Sequence, residues 1–319
     1  MKRNVLLFGI LFLIFYLFLD PVRALEASKN GLDLWLHTLL PTLLPFMILS
    51  NLLIHTQAVE RLLTPLSAFW KHFLGLSPYG AYVFLLGMLC GYPMGAKLTG
   101  DLYGTGRISR READYLLTFC NNASPMFLST YLVVTILGRP EYILPTFAVV
   151  YTCDYFTSLC FRIYYQPGRA LTKNCCFTEA PQKTKKETSP ASAKGSWIDV
   201  SIMNGFETIT KLGGYILLFS IFSAAMQALW HTESIFRYFL FCLTEISTGL
   251  HQLKGAVLPF PVKYAVSVAA TSFGGMCILA QTRSVITSRG LSLKPYLAGK
   301  SLNLVLTFAA ALIVAQIIQ

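Results

Sequence analysis

Long apolar runs alternate along this chain with short connections rich in lysine and arginine. The runs cover Val5–Leu19, Leu32–Ile54, Tyr79–Cys90, Tyr142–Tyr165, about Gly205–Trp230, Ile235–Leu250, Ala256–Leu279 and Leu297–Ile318. Several reach the roughly 20 residues a helix needs to cross lipid. The pattern predicts an all-α polytopic membrane protein.

The runs are interrupted in a consistent way. Pro41 and Pro45 fall inside the second, where each removes a backbone donor and predicts a break. Val59–Leu76 is half polar, with Arg61, Lys71 and His72, and reads as interfacial; Thr64-Pro65 and Ser77-Pro78 look like helix starts. Tyr79–Cys90 ends in Gly91-Tyr92-Pro93-Met94-Gly95-Ala96-Lys97, irregular backbone at membrane depth. Ser109-Arg110-Arg111-Glu112 forms a capping box opening the next helix. That helix runs through Asn121-Asn122-Ala123-Ser124-Pro125, a second break, to Leu137. In the other half, Thr271-Ser272-Phe273-Gly274-Gly275 breaks a run and leads into Gln281-Thr282-Arg283. Such breaks are tolerated in lipid only where protein or water satisfies the freed backbone groups.

Composition agrees: the 319 residues are 54% hydrophobic and only 13% charged, about half the usual share for a soluble domain. The net charge of +11 lies in the connections, as the positive-inside rule expects, so no nucleic-acid partner is implied. Residues 166–197 carry six lysines and arginines with Pro, Ser and Thr, and read as a flexible cytoplasmic linker. Residues 1–30 then form an N-terminal transmembrane anchor and connector, 31–165 a first repeat and 198–319 a second. The eight cysteines show no metal-ligand spacing. Cys90, Cys120, Cys153, Cys160, Cys242 and Cys277 read as packing residues, and Cys175-Cys176 fall in the linker. No nucleophile elbow, H-E-x-x-H, Walker loop or dinucleotide fingerprint is present, so neither an enzyme nor a cofactor is expected.

With the linker, Lys97, Arg107, Arg110 and Arg111 all cytoplasmic, Tyr79–Ala96 must enter and leave on one side, as a re-entrant hairpin. Arg283, Arg289, Lys294 and Lys300 then fall outside. Leu63-Thr64-Pro65-Leu66 recurs as Leu243-Thr244-Glu245-Ile246, and Gly91, Thr99, Ser109 and Asn121 recur in the same order as Gly274, Thr282, Ser292 and Asn303. This order predicts two inverted repeats with broken, re-entrant helices, an architecture that secondary transporters use around a midplane site. Half-helix N-termini there attract an anionic or polar solute.

The candidate solute-binding residues are Gly91, Pro93, Gly95, Lys97, Asn121, Asn122, Ser124, Glu245, Ser272, Gly274 and Arg283. Lys97 serves as counter-ion or topology charge, and Arg283 as ligand contact or interfacial cation. Glu245, an acid in an apolar run, would couple a proton, pair with Lys97 or Arg283, or organise a cation; alternatively its run is interfacial and it is solvated. Asn121, Asn122 and Ser124 bind solute or satisfy their own helix break. Asp154, close to the linker, reads as structural.

Gly91 to Thr99, Ser109 to Ala113 and Phe119 to Pro125 resemble the YlbJ family of sporulation integral membrane proteins, grouped with the nucleoside-recognition gate-domain proteins. Leu243 to Ile246 and Gly249 resemble its second-half signature. The resemblance implies two gate-type repeats in a multi-pass bacterial cell membrane protein, with a forespore membrane as the particular location. It also implies transport of dipicolinic acid, a small aromatic dianion, during sporulation, with nucleosides as the competing solute class. A non-transporting scaffold for spore assembly is the third reading. The partners expected are the small anionic solute, the bilayer, and a second copy or other sporulation membrane proteins.

Overall fold

The computed structural model describes residues 2–55, 61, 63–165, 197–230, 232 and 234–318. The expected linker up to residue 196, with Cys175 and Cys176, lies outside the described residues, as does part of the stretch read as interfacial. Everything described is helix or the turns between helices.

Helix α1 spans Lys2–Leu19 and α2 Pro21–Asp33. Asp20 caps α2 by accepting from the Arg23 amide at 3.1 Å, and Pro21 occupies the first turn, where its missing N–H costs nothing. A π-wound segment, Leu34–Leu39, leads into α3, Leu40–His55. The break expected at Pro41 and Pro45 is therefore displaced. Pro41 sits in the first turn of α3, Pro45 stays inside it, and the wider π turn absorbs the mismatch upstream. The Trp35 indole pins this bend by donating to the Ile209 carbonyl at 2.8 Å.

The remainder of the first half comprises α4 (Ser67–Phe73), α5 (Pro78–Cys90), α6 (Met94–Gly104), α7 (Arg110–Leu117), a π-wound α8 (Phe127–Leu137) and α9 (Ile143–Tyr165). The second half comprises α10 (Trp197–Leu229), α11 (Ile235–Thr244), α12 (Ile246–Lys254), α13 (Phe260–Phe273), α14 (Gly275–Thr287) and α15 (Lys294–Ile318). Among the described residues four helical stretches are long and apolar enough to cross a bilayer: Pro140–Tyr165, Trp197–Leu229, Phe260–Thr287 and Lys294–Ile318.

Side-chain contacts fix which ends of these helices meet. At one end, the Ser77 amide donates to Glu112 Oε1 at 2.8 Å, and Arg107 lies over the Tyr79 ring at 5.5 Å. Arg162 near the end of α9 donates to the carbonyls of His72 and Phe73 there. Helices α5 and α6 therefore leave and regain the same end, and the re-entrant hairpin expected from sequence is present, with its tip at Gly91-Tyr92-Pro93. The Tyr92–Pro93 peptide is cis, and Gly91 has φ 83°.

At the opposite end Arg139 lies over the Phe260 ring at 5.1 Å, Gln252 donates to Gln227 at 2.9 Å and Lys263 to the Lys254 carbonyl at 3.1 Å. Helices α11 and α12 start and finish here, so they form a second hairpin entering from the opposite side, with its tip at Glu245. Each half thus contains a hairpin, a broken span and a long closing helix: α5–α6, α7–α8 and α9, against α11–α12, α13–α14 and α15. The two sets run in opposite senses, which is the inverted arrangement.

The register of the repeat differs from the one predicted. Sequence order pairs Gly91 with Gly274, but Gly91 is a hairpin tip and Gly274 a break within a crossing helix. The structural counterpart of Gly91-Tyr92-Pro93 is Glu245, and that of the Asn121–Ser124 break is Gly274-Gly275. Ile235–Leu250, expected as one run, is divided at Glu245.

Two large apolar cores result, beside a small cluster of Tyr16, Ala24 and Ala225. One gathers around the first hairpin, with Met94, Leu98, Leu102, Leu116 and Phe119. The other gathers around the second, with Leu128, Leu132, Cys242, Ile246, Tyr264 and Val268. Phe119 and Cys120 belong to the first and Ala123 to the second, so the boundary passes through Asn121 and Asn122.

Candidate functional site: a polar layer between two cores

Buried polar side chains from α9, the α7–α8 break, α14 and α15 meet at that boundary. Lys300 Nζ donates to Asn122 Oδ1 at 2.5 Å and to the Ser272 carbonyl at 2.9 Å. One ammonium thereby joins the break of α7–α8, the break of α13–α14 and the closing helix α15. Asn121 donates to Thr282 Oγ1 on α14 at 3.1 Å and accepts from the Ala96 amide of the first hairpin at 3.4 Å. Asn303 donates to Asp154 Oδ1 on α9 and accepts from Thr307 at 2.8 Å. Lys300 is 1% exposed and Asp154 5%. A buried ion is expensive unless well partnered, so these groups occupy the layer at a real cost in stability. Within it, the Ser272 hydroxyl and Asp154 Oδ2 are buried without a hydrogen-bond partner.

Backbone proximity makes the layer possible. A Cβ on Gly91 would meet the Ser124 amide at 2.8 Å, and Ser124 caps α8 by accepting from the Phe127 amide at 3.2 Å. Gly95 lies against the Cys120 carbonyl. The corresponding contact in the other half is Gly275, whose Cβ would meet the Cys242 and Leu243 carbonyls at 3.0 Å. In each half a glycine seats the hairpin against the broken span. Tyr92 at the first tip is within electrostatic reach of Glu245 at the second, and Tyr131 on α8 donates to the Ser247 carbonyl at 2.8 Å.

Gly91, Pro93, Gly95, Asn121, Asn122, Ser124, Ser272 and Gly274 thus converge on the two breaks and the first tip. Glu245 is buried, and its carboxylate caps α12, accepting from the Ser247 amide at 3.1 Å and the Thr248 amide at 2.7 Å. That geometry replaces both the pairing with Lys97 or Arg283 and the solvated position. Arg283 is exposed on α14 while its neighbour Thr282 faces the layer, one residue being about 100° of helix rotation.

Lys97 points the other way. It is 5% exposed and donates to Asp101 Oδ2 at 2.5 Å, in a cleft of about 360 Å³ at the Ser77 end of the bundle. Lys97, Arg107, Lys211 and Arg289 line the cleft with Asp101 and Glu207; four cations against two anions leave it at +2. Arg289 reaches Asp101 at 3.4 Å, so Arg289 shares an end with Lys97, and Lys300 is inside the protein. The outside placement expected for these two residues is therefore corrected: the loop before α15 returns to the end where α6 finishes.

Asp101 bridges the first hairpin to the loop after α14. Replacing it by alanine should destabilise the protein by about 2–3 kcal/mol, because Lys97 is left buried and unpaired, while the half-exposed Arg289 adds little. Thermal unfolding in detergent measures this, and adding Lys97→Met should recover most of the loss. A double variant no more stable than Asp101→Ala would refute the bridge.

From sequence, Lys300 reads as an outside charge, Asp154 as structural and Asn303 only as a repeat match. Position along the helix distinguishes them. Lys300 lies six residues into α15, roughly 9 Å from its start, and Asp154 eleven residues before the end of α9, roughly 16 Å. Both therefore sit inside their helices and not at the connections.

Opposed re-entrant hairpins, paired broken spans and a buried polar layer where they meet define an all-α, polytopic integral membrane protein. The chain is similar to the sporulation integral membrane protein YlbJ of Bacillus subtilis (strain 168), 26% identical over 330 residues, which cover 91% of this chain and 78% of that protein. No protein-family model matches it. No solved structure matches it either.

Proposed function

We propose that the chain carries a small anionic solute across a bacterial membrane during sporulation, with dipicolinate as the solute the YlbJ resemblance favours. The observation that supports this most is Lys300, a buried ammonium held by neutral acceptors from both broken spans. An intramembrane cation in such a place marks a solute or ion pathway by default. The +2 cleft at one end adds an electrostatic approach that concentrates anions. The similarity to a protein named for sporulation supports the setting and a forespore membrane as the location.

Uptake of labelled dipicolinate into proteoliposomes, run against nucleosides, tests the reading. Asn122→Ala should lower dipicolinate uptake about tenfold or more, since a charge-assisted hydrogen bond contributes about 1.5–3 kcal/mol, with near-normal yield of inserted protein. Movement of nucleosides alone would change the solute class. If neither moves, and spores of a deletion strain still fail to assemble, the scaffold role replaces transport.

A further inference from the structure

Lys300 is not the only ionisable group in the polar layer. Asp154 faces it from α9, and the transport reading makes no use of it. Its Oδ1 is held by Asn303, while its Oδ2 is buried without a partner. Lys300 and Asn303 are three residues apart on α15 and so share a face. The structure links acid and ammonium through that face and not through a direct ion pair. Every hydrogen bond of Lys300 goes to a neutral acceptor. The other titratable groups within electrostatic reach of Asp154 are Cys120 at the α7–α8 break, and Tyr151 and Cys153 on its own helix.

This arrangement has a simple charge logic. With Asp154 ionised, the layer holds one negative and one positive charge and is neutral. A proton added to Oδ2 removes the negative charge and leaves the Lys300 ammonium without a counter-ion. The layer then carries a single positive charge and attracts a carboxylate. Loss of the proton restores neutrality and weakens the hold on that carboxylate.

We infer that Asp154 is a proton-binding site whose occupancy governs anion binding at Lys300, so that proton and anion cross the bilayer together. The inference rests on the anion-transport reading. The only bond formed and broken is the Oδ2–H bond: the proton is taken from water on one side and returned to water on the other.

Two measurements on the full chain in phosphatidylethanolamine–phosphatidylglycerol vesicles test it. The first uses no solute. Infrared difference spectra between alkaline and acid buffer should show the carbonyl stretch of a protonated carboxylic acid, missing in Asp154→Asn and displaced in Lys300→Gln. The second follows dipicolinate binding. Wild-type affinity should rise as pH falls, by up to about tenfold per pH unit for one linked proton. Asp154→Asn should bind tightly at every pH, exchange dipicolinate across the membrane, and lose accumulation driven by a pH gradient. Should Asp154→Asn fail to fold, Asp154→Glu keeps the carboxyl and must shift the same band.

A wild-type spectrum without a band assignable to Asp154 overturns the proton site, whatever dipicolinate does. Wild-type pH dependence of binding in Asp154→Asn overturns the coupling. If the band is present but dipicolinate neither binds nor exchanges, the proton site is upheld and the anion reading is what fails.

Discussion

Gly95→Ala should unfold or severely destabilise this protein, although the substitution adds one methyl group. Gly95 opens the first turn of α6, directly under the tip of the first hairpin. A Cβ there would collide with the Cys120 carbonyl and stand 3.1 Å from the Cα of Asn121. Both obstacles are backbone, and both belong to the break that carries Asn121 and Asn122. Neither can swing aside as a side chain would. Overpacking a close-packed interior costs about 1–3 kcal/mol and sometimes more, and here relief requires moving the hairpin off the broken span. That movement would also separate the Ala96 amide from Asn121. Gly299 faces the Thr118 carbonyl on the other side of the same break, so Gly299→Ala should behave alike. Gly214 on α10 is exposed and has open space around it; Gly214→Ala should leave stability unchanged or raise it by up to about 1 kcal/mol through helix propensity. Melting midpoints and monodisperse yields of the three variants in detergent make the comparison. A Gly95→Ala protein that melts with the wild type would show that the hairpin does not depend on this approach.

The same glycines explain what the sequence made visible. Gly91-Tyr92-Pro93 and Thr271 to Gly275 stand out because glycine and proline interrupt otherwise apolar runs, and both are sites of broken helix. Their local chemistry is nearly the same: Gly91 has φ 83° and Gly274 φ 89°, values that favour glycine at either place. Sequence matching therefore paired them, although one reverses the chain and the other lets it continue across the membrane. Local backbone chemistry is silent on that difference, which contacts at the helix ends decide, such as Ser77 with Glu112 and Gln252 with Gln227. The tip at Glu245 has no glycine or proline within it. Only the isolated acid betrayed it, and an acid in an apolar run does not by itself announce a turn. Lys300 was misplaced for a related reason. It lies near a basic connection in sequence, whereas burial depends on depth along a helix and on which face points inward. Asn122 and Ser272 were legible as polar residues at breaks, but that one lysine joins them depends on α15 packing against both broken spans.

Substitutions at Glu245 test whether the second hairpin tip only folds or also serves the proposed transport. Its two carboxylate oxygens hold the Ser247 and Thr248 amides, the first free donors of α12. A negative charge at that N-terminus is further favoured by the helix dipole. Helix α12 has nine residues, too few to persist alone, so its start depends on this cap and on the contact of Gly249 with the Cys242 backbone. Glu245→Ala strands two half-buried amides, each costing at most about 1–3 kcal/mol. It should lower the melting midpoint and abolish dipicolinate uptake. Glu245→Gln keeps one carbonyl oxygen for one amide and sets its NH₂ group against the other. Inserted protein should persist at near wild-type yield while uptake falls about tenfold, the equivalent of one lost hydrogen bond of about 1.4 kcal/mol. Because Tyr92 of the first hairpin lies within electrostatic reach of Glu245, the two tips should act as one unit. A double-mutant cycle of Tyr92→Phe with Glu245→Gln should then be non-additive in uptake, by more than the roughly 0.5 kcal/mol typical of independent sites. Strict additivity, or full uptake by Glu245→Ala, would mean that the hairpins fold past each other without forming a common passage.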